Sequence, residues 1–333
     1  MVVSLEDVAR KARVSAATVS RALNNAGLVK PATRARVLEA AQKLNYHPNL
    51  HARTLAGGKN RTLGMVASNL ENPFFLDIFR ALEARAQRAD YQVLVANTDY
   101  RPQRLVASVH RLLGLCPAGL AVFASEIEPS LVAELEQSGV PAVLYDGGLT
   151  GPTIAGMRIE YVNSMRSMVE YLYGLGHRRM AFIGHHAGLS PLGNRRKSFL
   201  ETVSDVCAGV EFTTLADVDA PAGGRRAAAR LLASRFNPTA ILCVNDFMAL
   251  GVLRELQARG VRVPDDISLT GFDDIGLAEY TSPALTTLHI PREEIGDTVF
   301  RTLVPSGSQG LAFGQELVIH PRLVLRESTG PRP

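Results

Sequence analysis

The 333-residue chain has no tryptophan, few other aromatic residues and no long uninterrupted apolar stretch. Aromatic side chains make up 6% of the sequence, which argues against binding by base stacking on single-stranded nucleic acid. A membrane span needs ~18 consecutive apolar residues, and no segment reaches that length. Glu6 and Asp7 stand where a signal peptide would have its positive and apolar regions. We therefore expect a protein that is neither inserted in a membrane nor exported.

Cysteine is also scarce in this sequence. Cys116, Cys207 and Cys243 are odd in number, lie far apart and form no C-x-x-C pair. Their spacing supports neither a disulfide framework nor a zinc site. We therefore expect a protein of the reducing cytoplasm that holds no structural metal.

Positive charge is concentrated at the start of the chain, although the formal net charge of the whole is only +4. Residues 1–60 hold ten Lys and Arg against three Asp and Glu, a net charge of +7. The remainder holds 26 against 29, a net charge of −3. A short basic segment before a mildly acidic body indicates that the first segment binds a polyanion while the body has another task.

The basic segment shows the spacing of a helix-turn-helix. Apolar residues recur at helical intervals over residues 5–12 and again over 14–23. Ser15 supplies a side-chain oxygen that can cap a second helix beginning at Ala16. A third helix is predicted to begin at Pro31, where the missing N–H costs nothing. Its predicted apolar face consists of Val37, Leu38, Ala41 and Leu44.

The second helix presents small and polar residues on its remaining face. Ala16, Ala17, Ser20 and Arg21 lie on this face, and a helix of this width fits the major groove of DNA. Helical spacing alone is equally consistent with a generic three-helix bundle that has a solvated basic face. The exact string of residues is needed to choose between these two interpretations.

The string KARVSAATVSRALN over residues 11–24 closely resembles the DNA-reading headpiece of the lactose/galactose repressor (LacI/GalR) family. The resemblance implies binding to double-stranded operator DNA. The headpiece residues implied as contacts are Ser15, Ala16, Ala17, Thr18, Ser20, Arg21, Asn24 and Arg34. Two features depart from the family: Arg13 stands at a turn position that is usually Gly, and Lys30-Pro31 replaces Ser-Glu. A left-handed backbone at Arg13 would cost of order 1 kcal/mol.

A short segment from Asn49 to Ala56 follows the third helix. It is too short to form a stable isolated helix, which needs ~12–15 residues, so we expect it to fold only on a partner. In the resembled family it is a hinge helix that pairs with the dimer mate and inserts a leucine, here Leu55, into the minor groove. The other DNA contacts implied in this segment are Asn49, Ala52 and Arg53. Alternatively, glycines at 57–58 close a flexible linker and Leu55 is incidental.

The body alternates short β runs with amphipathic helices, which predicts parallel sheets with crossover helices. Strands are predicted at 62–68, 91–97, 119–124 and 142–146, and then at 180–184, 240–244 and 268–271. Helices are predicted at 75–89, 104–113 and 129–138, and then at 164–175, 195–202, 223–234 and 246–258. We interpret these sets as two similar α/β lobes in tandem, with a ligand cleft at the carboxyl ends of the strands. The predicted domains are a headpiece over 1–48, a hinge over 49–60 and an effector-binding and dimerisation domain over 61–333.

The family resemblance extends from residue 4 to Thr329, through motifs such as NPFF at 72–75, NDFMALG at 245–251 and GFDD at 271–274. It implies an α/β body like that of periplasmic sugar-binding proteins, which carry a signal peptide and lack the headpiece. The implied effector-binding residues are Phe74, Phe75, Asp146, Arg195, Asn245 and Asp273, with the fork of Arg195 as the main anchor. Asn245 and Asp246 could instead cap a helix, and Asp273-Asp274 could be a turn pair.

The predicted pocket departs from the family at two places. Glu160-Tyr161 stands where Asp-Asn is common, and Asp219 stands where many members place an aromatic lid. We include Asp219 among the candidate effector-binding residues. Asp219 and Glu160 could accept hydroxyl or amine protons from a ligand, or they could point to solvent.

Motifs of an enzyme are missing. The sequence contains no G-x-x-x-x-G-K-[ST] phosphate loop, no G-x-S-x-G elbow and no dinucleotide fingerprint after a strand. His185-His186 follows a strand, but no third metal ligand has suitable spacing. We therefore predict a cofactor-free repressor that binds a near-palindromic operator as a homodimer, without a tetramer-forming heptad segment. A small polar, sugar-like effector controls it, either as inducer or as corepressor.

Overall fold

The computed structural model describes residues 3–23, 29–46, 60–124, 126–146, 150–185, 191–206, 209–304 and 310–332. The chain divides into two compact units, Met1–Asn60 and Arg61–Pro333. The predicted hinge residues 49–59 lie outside the described residues. Within the described ranges, no helix has the length and apolar character that a membrane crossing requires.

The first unit contains three short helices around a small apolar core. They are α1 (Leu5–Ala12), α2 (Ala16–Leu23) and α3 (Pro31–Lys43). Ser4 and Asp7 form a reciprocal capping box at the start of α1. The Ser15 hydroxyl accepts a hydrogen bond from the backbone N–H of Thr18 at 3.2 Å, which confirms the predicted start of α2. Arg13 ends α1 with φ of 54°, so the left-handed backbone expected there is also confirmed.

The core of this unit differs from the prediction at one position. Val8, Val19 and Val37 are fully buried, but Leu38 is 50% exposed. On α3 the buried row continues from Val37 through Ala40 and Ala41, at i, i+3 and i+4. Leu38 lies one residue off this row, which turns its side chain toward solvent.

The second unit contains twelve described strands and eight described α-helices. Its strands are β1 (Thr62–Ala67), β2 (Gln92–Asn97), β3 (Gly119–Phe123), β4 (Ala142–Tyr145), β5 (Ile154–Ile159), β6 (Arg179–His185), β7 (Glu211–Asp217), β8 (Ala240–Cys243), β9 (Ser268–Thr270), β10 (Thr287–His289), β11 (Glu316–Ile319) and β12 (Arg322–Val324). Its helices are α4 (Pro73–Arg88), α5 (Pro102–Leu113), α6 (Pro129–Ser138), α7 (Tyr161–Gly174), α8 (Pro191–Val206), α9 (Pro221–Leu232), α10 (Asp246–Ala258) and α11 (Arg292–Leu303), with a 3₁₀ turn at Gly276–Ala278.

These elements form two lobes, each built on a parallel sheet. The N-lobe sheet has the order β11-β5-β4-β3-β1-β2, and the C-lobe sheet has the order β7-β6-β8-β9. Strands β10 and β12 form a small antiparallel pair beside them. The predicted fold class, a helix-turn-helix headpiece followed by a two-lobed parallel-sheet body, is confirmed.

The tandem arrangement of the lobes is wrong, because the chain passes between them three times. It crosses after β5, again between β10 and α11, and a third time between β11 and β12. Helix α11 returns to the N-lobe and packs along α4. A Cβ atom on Gly296 would lie 2.6 Å from the Cβ of Ala81, so only glycine allows this close approach. The sequence prediction missed β5, β7, α11 and the three last strands.

Candidate DNA-reading helix and effector cavity

Helix α2 presents the residues that the sequence singled out for reading DNA. Ser15, Ala17 and Arg21 are exposed, whereas Ala16, Thr18 and Ser20 are half-buried. The Ser15 and Thr18 hydroxyls lie 2.9 Å apart, so the start of the helix carries a pair of hydrogen-bonding groups. A helix N-terminus with exposed hydroxyls and a following arginine can reach both the edges of bases and the phosphates.

Arg34 has a structural partner that the sequence did not indicate. Its Nε donates a hydrogen bond to the carbonyl oxygen of Ala22 at 3.1 Å, which ties α3 to the last turn of α2. The residue is half-buried, so this hydrogen bond helps to position α2, in addition to any contact that Arg34 makes with DNA. Asn24, Asn49, Ala52, Arg53 and Leu55 lie outside the described residues.

A cavity lies between the two lobes of the body, and the space around it that no atom fills, including space open to solvent, is about 440 Å³. Six of the seven predicted effector-binding residues line it: Phe74, Phe75, Asp146, Arg195, Asn245 and Asp273. The lining residues that the sequence prediction missed are Ser68, Asn72, Tyr100, Phe123, Ala124, Tyr145 and Tyr161. Most of the lining residues follow the carboxyl ends of parallel strands, where ligands of such sheets bind. Examining the last residue of each predicted strand would have found Ser68 and Ala124.

Aromatic rings form a continuous wall on the N-lobe side of the cavity. Phe74 contacts Phe75 edge-on, with ring centroids 5.2 Å apart, and lies 5.9 Å from the ring of Tyr145. Tyr145 in turn lies 5.0 Å from Phe123. The hydroxyl of Tyr145 is buried and has no hydrogen-bond partner among the residues that the structure describes. We call these four residues the aromatic wall.

Arg195 dominates the C-lobe side of the cavity. Its guanidinium donates to the Val244 carbonyl at 2.7 Å and to the Asp273 carboxylate at 3.0 Å, and it lies 4.1 Å from the ring centroid of Phe272. Burial opposes its charge, but Asp273, Tyr161, Tyr145 and Asp146 together outweigh that effect and raise the pKa of Arg195 above its usual range. Its Nε is buried and finds no partner within the described ranges of the chain. The Nε–H of the guanidinium therefore remains for a ligand.

Two carboxyl groups of the cavity have raised pKa values. Burial raises the pKa of Asp146 to about 6, against the hydrogen bonds that it accepts from the Tyr161 hydroxyl and from the backbone N–H of Ile159. Burial also raises the pKa of Asp273 to about 6, although Arg195 opposes the shift. Both groups are mainly ionised acceptors at neutral pH. Such acceptors suit ligands that donate several hydrogen bonds.

The two departures from the family have different positions. Glu160 caps α7 by accepting a hydrogen bond from the backbone N–H of Asn163 at 3.1 Å, whereas the neighbouring Tyr161 lines the cavity. Asp219 is 5% exposed and does not itself line the cavity. It contacts two residues that do, Tyr100 and Asn245.

Asp219 joins the two lobes. It accepts hydrogen bonds from the Asn245 amide of the C-lobe at 2.7 Å and from the Tyr100 hydroxyl of the N-lobe at 2.5 Å. The side-chain amide of Asn69 in the N-lobe donates to its backbone carbonyl at 2.9 Å. We call these four residues the inter-lobe latch. Asp219 therefore points neither to solvent nor directly into the cavity.

The alternatives that the sequence left open for Asn245 and Asp273 are compatible with a place in the cavity. Asn245 caps α10 through a hydrogen bond from the Met248 N–H at 2.8 Å and also lines the cavity. Asp273 forms an isolated parallel β-bridge with His289, has a φ of 102° and pairs with Arg195. Asp246 is fully buried and accepts from Thr287 at 2.6 Å, which is a structural role. In the described part of the chain, no group of three or more His, Cys, Asp or Glu residues could hold a metal ion.

Comparison with known proteins assigns the chain to a family. Residues 4–49 match "Bacterial regulatory proteins, lacI family", and residues 169–329 match "Periplasmic binding protein-like domain". The chain is 31% identical to the HTH-type transcriptional repressor PurR of Photobacterium profundum over 327 residues, 98% of each protein.

Solved structures agree with this assignment. The Lac repressor dimer bound to operator and the anti-inducer ONPF has a TM-score of 0.80 and 26% identity over 99% of this chain and 100% of that chain. The complex of the transcriptional regulator CelR with cellobiose has a TM-score of 0.67 and 27% identity over 98% of this chain and 99% of that chain. These relatives are regulators and not enzymes, which points to a role without catalysis. The chain thus belongs to the LacI family of bacterial regulatory proteins and is a DNA-binding transcriptional repressor.

Proposed function

We propose that the protein represses transcription as a homodimer, and that a small hydroxyl-rich effector in the inter-lobe cavity controls its binding to a near-palindromic operator. The observation that carries the effector role is a pair of unpartnered polar atoms. The Tyr145 hydroxyl and the Arg195 Nε are both buried at the cavity, with no partner among the described residues. Leaving such groups unpaired costs about 1–3 kcal/mol each, which a hydroxylated ligand would recover.

Sugar-like chemistry fits the donor and acceptor set of the cavity. Asp146 and Asp273 accept hydrogen bonds from hydroxyls, Arg195 donates to a ligand oxygen, and the aromatic wall can cover an apolar sugar face. The related regulator CelR forms a complex with cellobiose, which supports the same class of ligand here. No enzymatic step is required of these residues.

Exposed apolar side chains on the body support a homodimer. Leu94 and Val95 are 37% and 40% exposed on β2, the edge strand of the N-lobe sheet. Leu277 and Tyr280 are 49% and 82% exposed on the C-lobe. Apolar groups on a sheet edge and in a neighbouring lobe favour pairing with a second copy. A related Lac repressor was solved as a dimer on its operator.

Effector control follows from the coupling of lobe arrangement to DNA binding. A ligand that favours one arrangement of the lobes shifts the spacing of the two N-lobes in the dimer, and so the ability of the two hinge segments to pair on DNA. The sign of this coupling distinguishes an inducer from a corepressor. Binding to chromosomal operators implies a cytoplasmic protein.

The test begins with selection of operator sequences from a pool of random DNA duplexes. Fluorescence anisotropy on a selected duplex is expected to show dimeric binding that weakens steeply with salt, because Arg21 and other basic residues displace counterions. Arg21→Ala should weaken binding at least tenfold, whereas Lys43→Ala, which removes the ion pair with Glu39, should change it little. Binding that is insensitive to salt, or that residues 61–333 alone retain, would refute the proposal.

A further inference from the structure

The charges lining the cavity are unbalanced. Asp146 and Asp273 are carboxylates, and Arg195 is the one cation among the described lining residues. Arg195 forms its ion pair with Asp273 at 3.0 Å, with both side chains almost completely buried. Among the described residues, no cation forms an ion pair with Asp146, and the charges of Arg195 and Arg158 act on it only from a longer distance.

The partners of Asp146 within the protein are neutral. Its carboxylate accepts hydrogen bonds from the Tyr161 hydroxyl and from the Ile159 backbone N–H at 3.2 Å. No Lys, Arg or His of the described ranges forms an ion pair with it, although it is only 7% exposed. Buried charges in proteins are normally paired, because an uncompensated one is costly. Within the described residues, Asp146 therefore contacts no positive charge directly, and a cationic ligand would supply one.

The surroundings of Asp146 suit an organic cation. Asp146 directly follows Tyr145 in sequence, and Tyr145 is part of the aromatic wall with Phe74, Phe75 and Phe123. Faces of aromatic rings attract ammonium groups within about 6 Å, and this attraction strengthens where water is excluded. A carboxylate beside several rings is the arrangement that recognises a protonated amine.

The opposite side of the cavity offers a different contact. The unpartnered Nε of Arg195 donates a hydrogen bond and cannot accept one. A ligand that fills both sides needs an oxygen acceptor for Arg195 and a cation for Asp146. The Tyr145 hydroxyl, also unpartnered, can accept from the amine or donate to an oxygen.

Because the two sides of the cavity offer different contacts, we infer that the effector is a small hydroxylated amine. Its ammonium binds between Asp146 and the aromatic wall, and its oxygen binds Arg195. This inference rests on the proposed effector role of the cavity and narrows it from hydroxylated compounds in general to those that carry a positive charge. An ammonium ion is recognised by its charge, so a neutral compound of the same shape binds less well.

The experiment compares amines with neutral partners of similar shape. Full-length protein at pH 7.5 is titrated by calorimetry with D-glucosamine and D-glucose, with 1-deoxynojirimycin and 1-deoxyglucose, and with ethanolamine and ethylene glycol. In at least one pair the amine is expected to bind on the order of tenfold or more tightly than its neutral partner. Equal or tighter binding of the neutral partner, or no binding of any amine, would overturn the inference.

A variant of Asp146 tests whether the ammonium binds in the cavity. Asp146→Asn keeps the size of the side chain and removes its charge, so the amine should lose at least tenfold in affinity and the neutral partner much less. Asp90→Asn, at an exposed N-lobe carboxylate paired with Arg61, is the matched control and should leave the preference for the amine unchanged. Equal losses for the amine and the neutral partner in Asp146→Asn would contradict the inference.

Anisotropy with selected operator DNA distinguishes this inference from the proposed function. If amines bind as expected but have no effect on operator binding, the inferred ligand class is supported and the proposed effector control is contradicted. If a neutral sugar binds preferentially and alters operator binding, effector control stands and the amine preference fails.

Discussion

Single buried side chains determine how the cavity responds to pH. The pKa of Asp146 is raised to about 6 in the folded protein by burial, compared with 3.8 in an unfolded chain. The folded state therefore binds a proton at Asp146 more tightly than the unfolded chain does. The stability that this protonation contributes is fully present below about pH 4 and is lost as pH rises through 6. Arg195, Arg158 and Tyr161 face this carboxyl group and reduce the shift without cancelling it.

Asp146→Asn should remove this pH dependence. The free energy of unfolding of the wild type, relative to the variant, is expected to be greater at pH 4.5 than at pH 7.5. Urea denaturation of both proteins at a series of pH values measures the difference. A difference between the two proteins that stays constant over this range would contradict the assigned shift.

The buried pair of Arg195 and Asp273 should show strong coupling. Arg195→Ala leaves the Asp273 carboxylate buried without its cation, which typically costs 3–5 kcal/mol. Asp273→Ala should cost a similar amount, and the double variant should cost less than the sum. A double-mutant cycle from urea unfolding measures this coupling, and strictly additive costs would show that the pair is energetically independent.

At the scale of elements, the start of a helix was predicted correctly where neighbouring residues determine it. Ser15 and Pro31 predict the starts of α2 and α3 correctly, because a cap and a proline act within one helical turn. Leu38 was placed wrongly because four apolar residues allow more than one helical face, and packing against α1 and α2 selects among them. Strand β7 was missed because its edge position leaves most of it only half-buried.

The packing of α11 on α4 depends on one small residue. Gly296→Val would place a Cβ 2.6 Å from Ala81 and 2.8 Å from the backbone oxygen of Ile78. Overpacking of this kind typically costs 1–3 kcal/mol, so the melting temperature should fall. Gly174→Val, at the end of α7 with no atom within 4 Å of its Cβ position, is the control for β-branching in a helix. Equal effects of the two substitutions would mean that the helices can separate without cost.

At the scale of the whole molecule, we expect the inter-lobe latch to favour the arrangement of the lobes seen in this structure over a more open one. Asp219→Ala removes the acceptor for Tyr100 and Asn245 and should raise the open population. Small-angle X-ray scattering of ligand-free protein should then give a larger radius of gyration than for the wild type. Asp219→Asn, which retains an oxygen acceptor, should have an intermediate effect. A radius that is unchanged in Asp219→Ala would show that other contacts close the lobes.

The sequence predicted most of the cavity but not how the lobes are connected. Phe74, Asp146, Arg195, Asn245 and Asp273 were predicted through the family resemblance, and the structure brings them to one cavity. The aromatic residues Tyr100 and Tyr145 were missed, because nothing in their local sequence distinguishes a cavity wall from a buried core. Tyr161 was noted as a departure from the family but not as a candidate binding residue. The threefold crossing was missed for a similar reason: periodicity identifies a strand but not the sheet that it joins.

The interleaved chain has a consequence for the order in which the protein is made. Residues of α4 such as Ile78 and Leu82 are completely buried, and part of their cover is α11, more than 200 residues later in the chain. During synthesis the N-lobe strands β1 to β5 leave the ribosome long before α11 and β11 do. The C-lobe sheet is therefore translated while the lobe that precedes it still has an open apolar flank. The lobe that leaves the ribosome first is therefore completed only after most of the other lobe has been made.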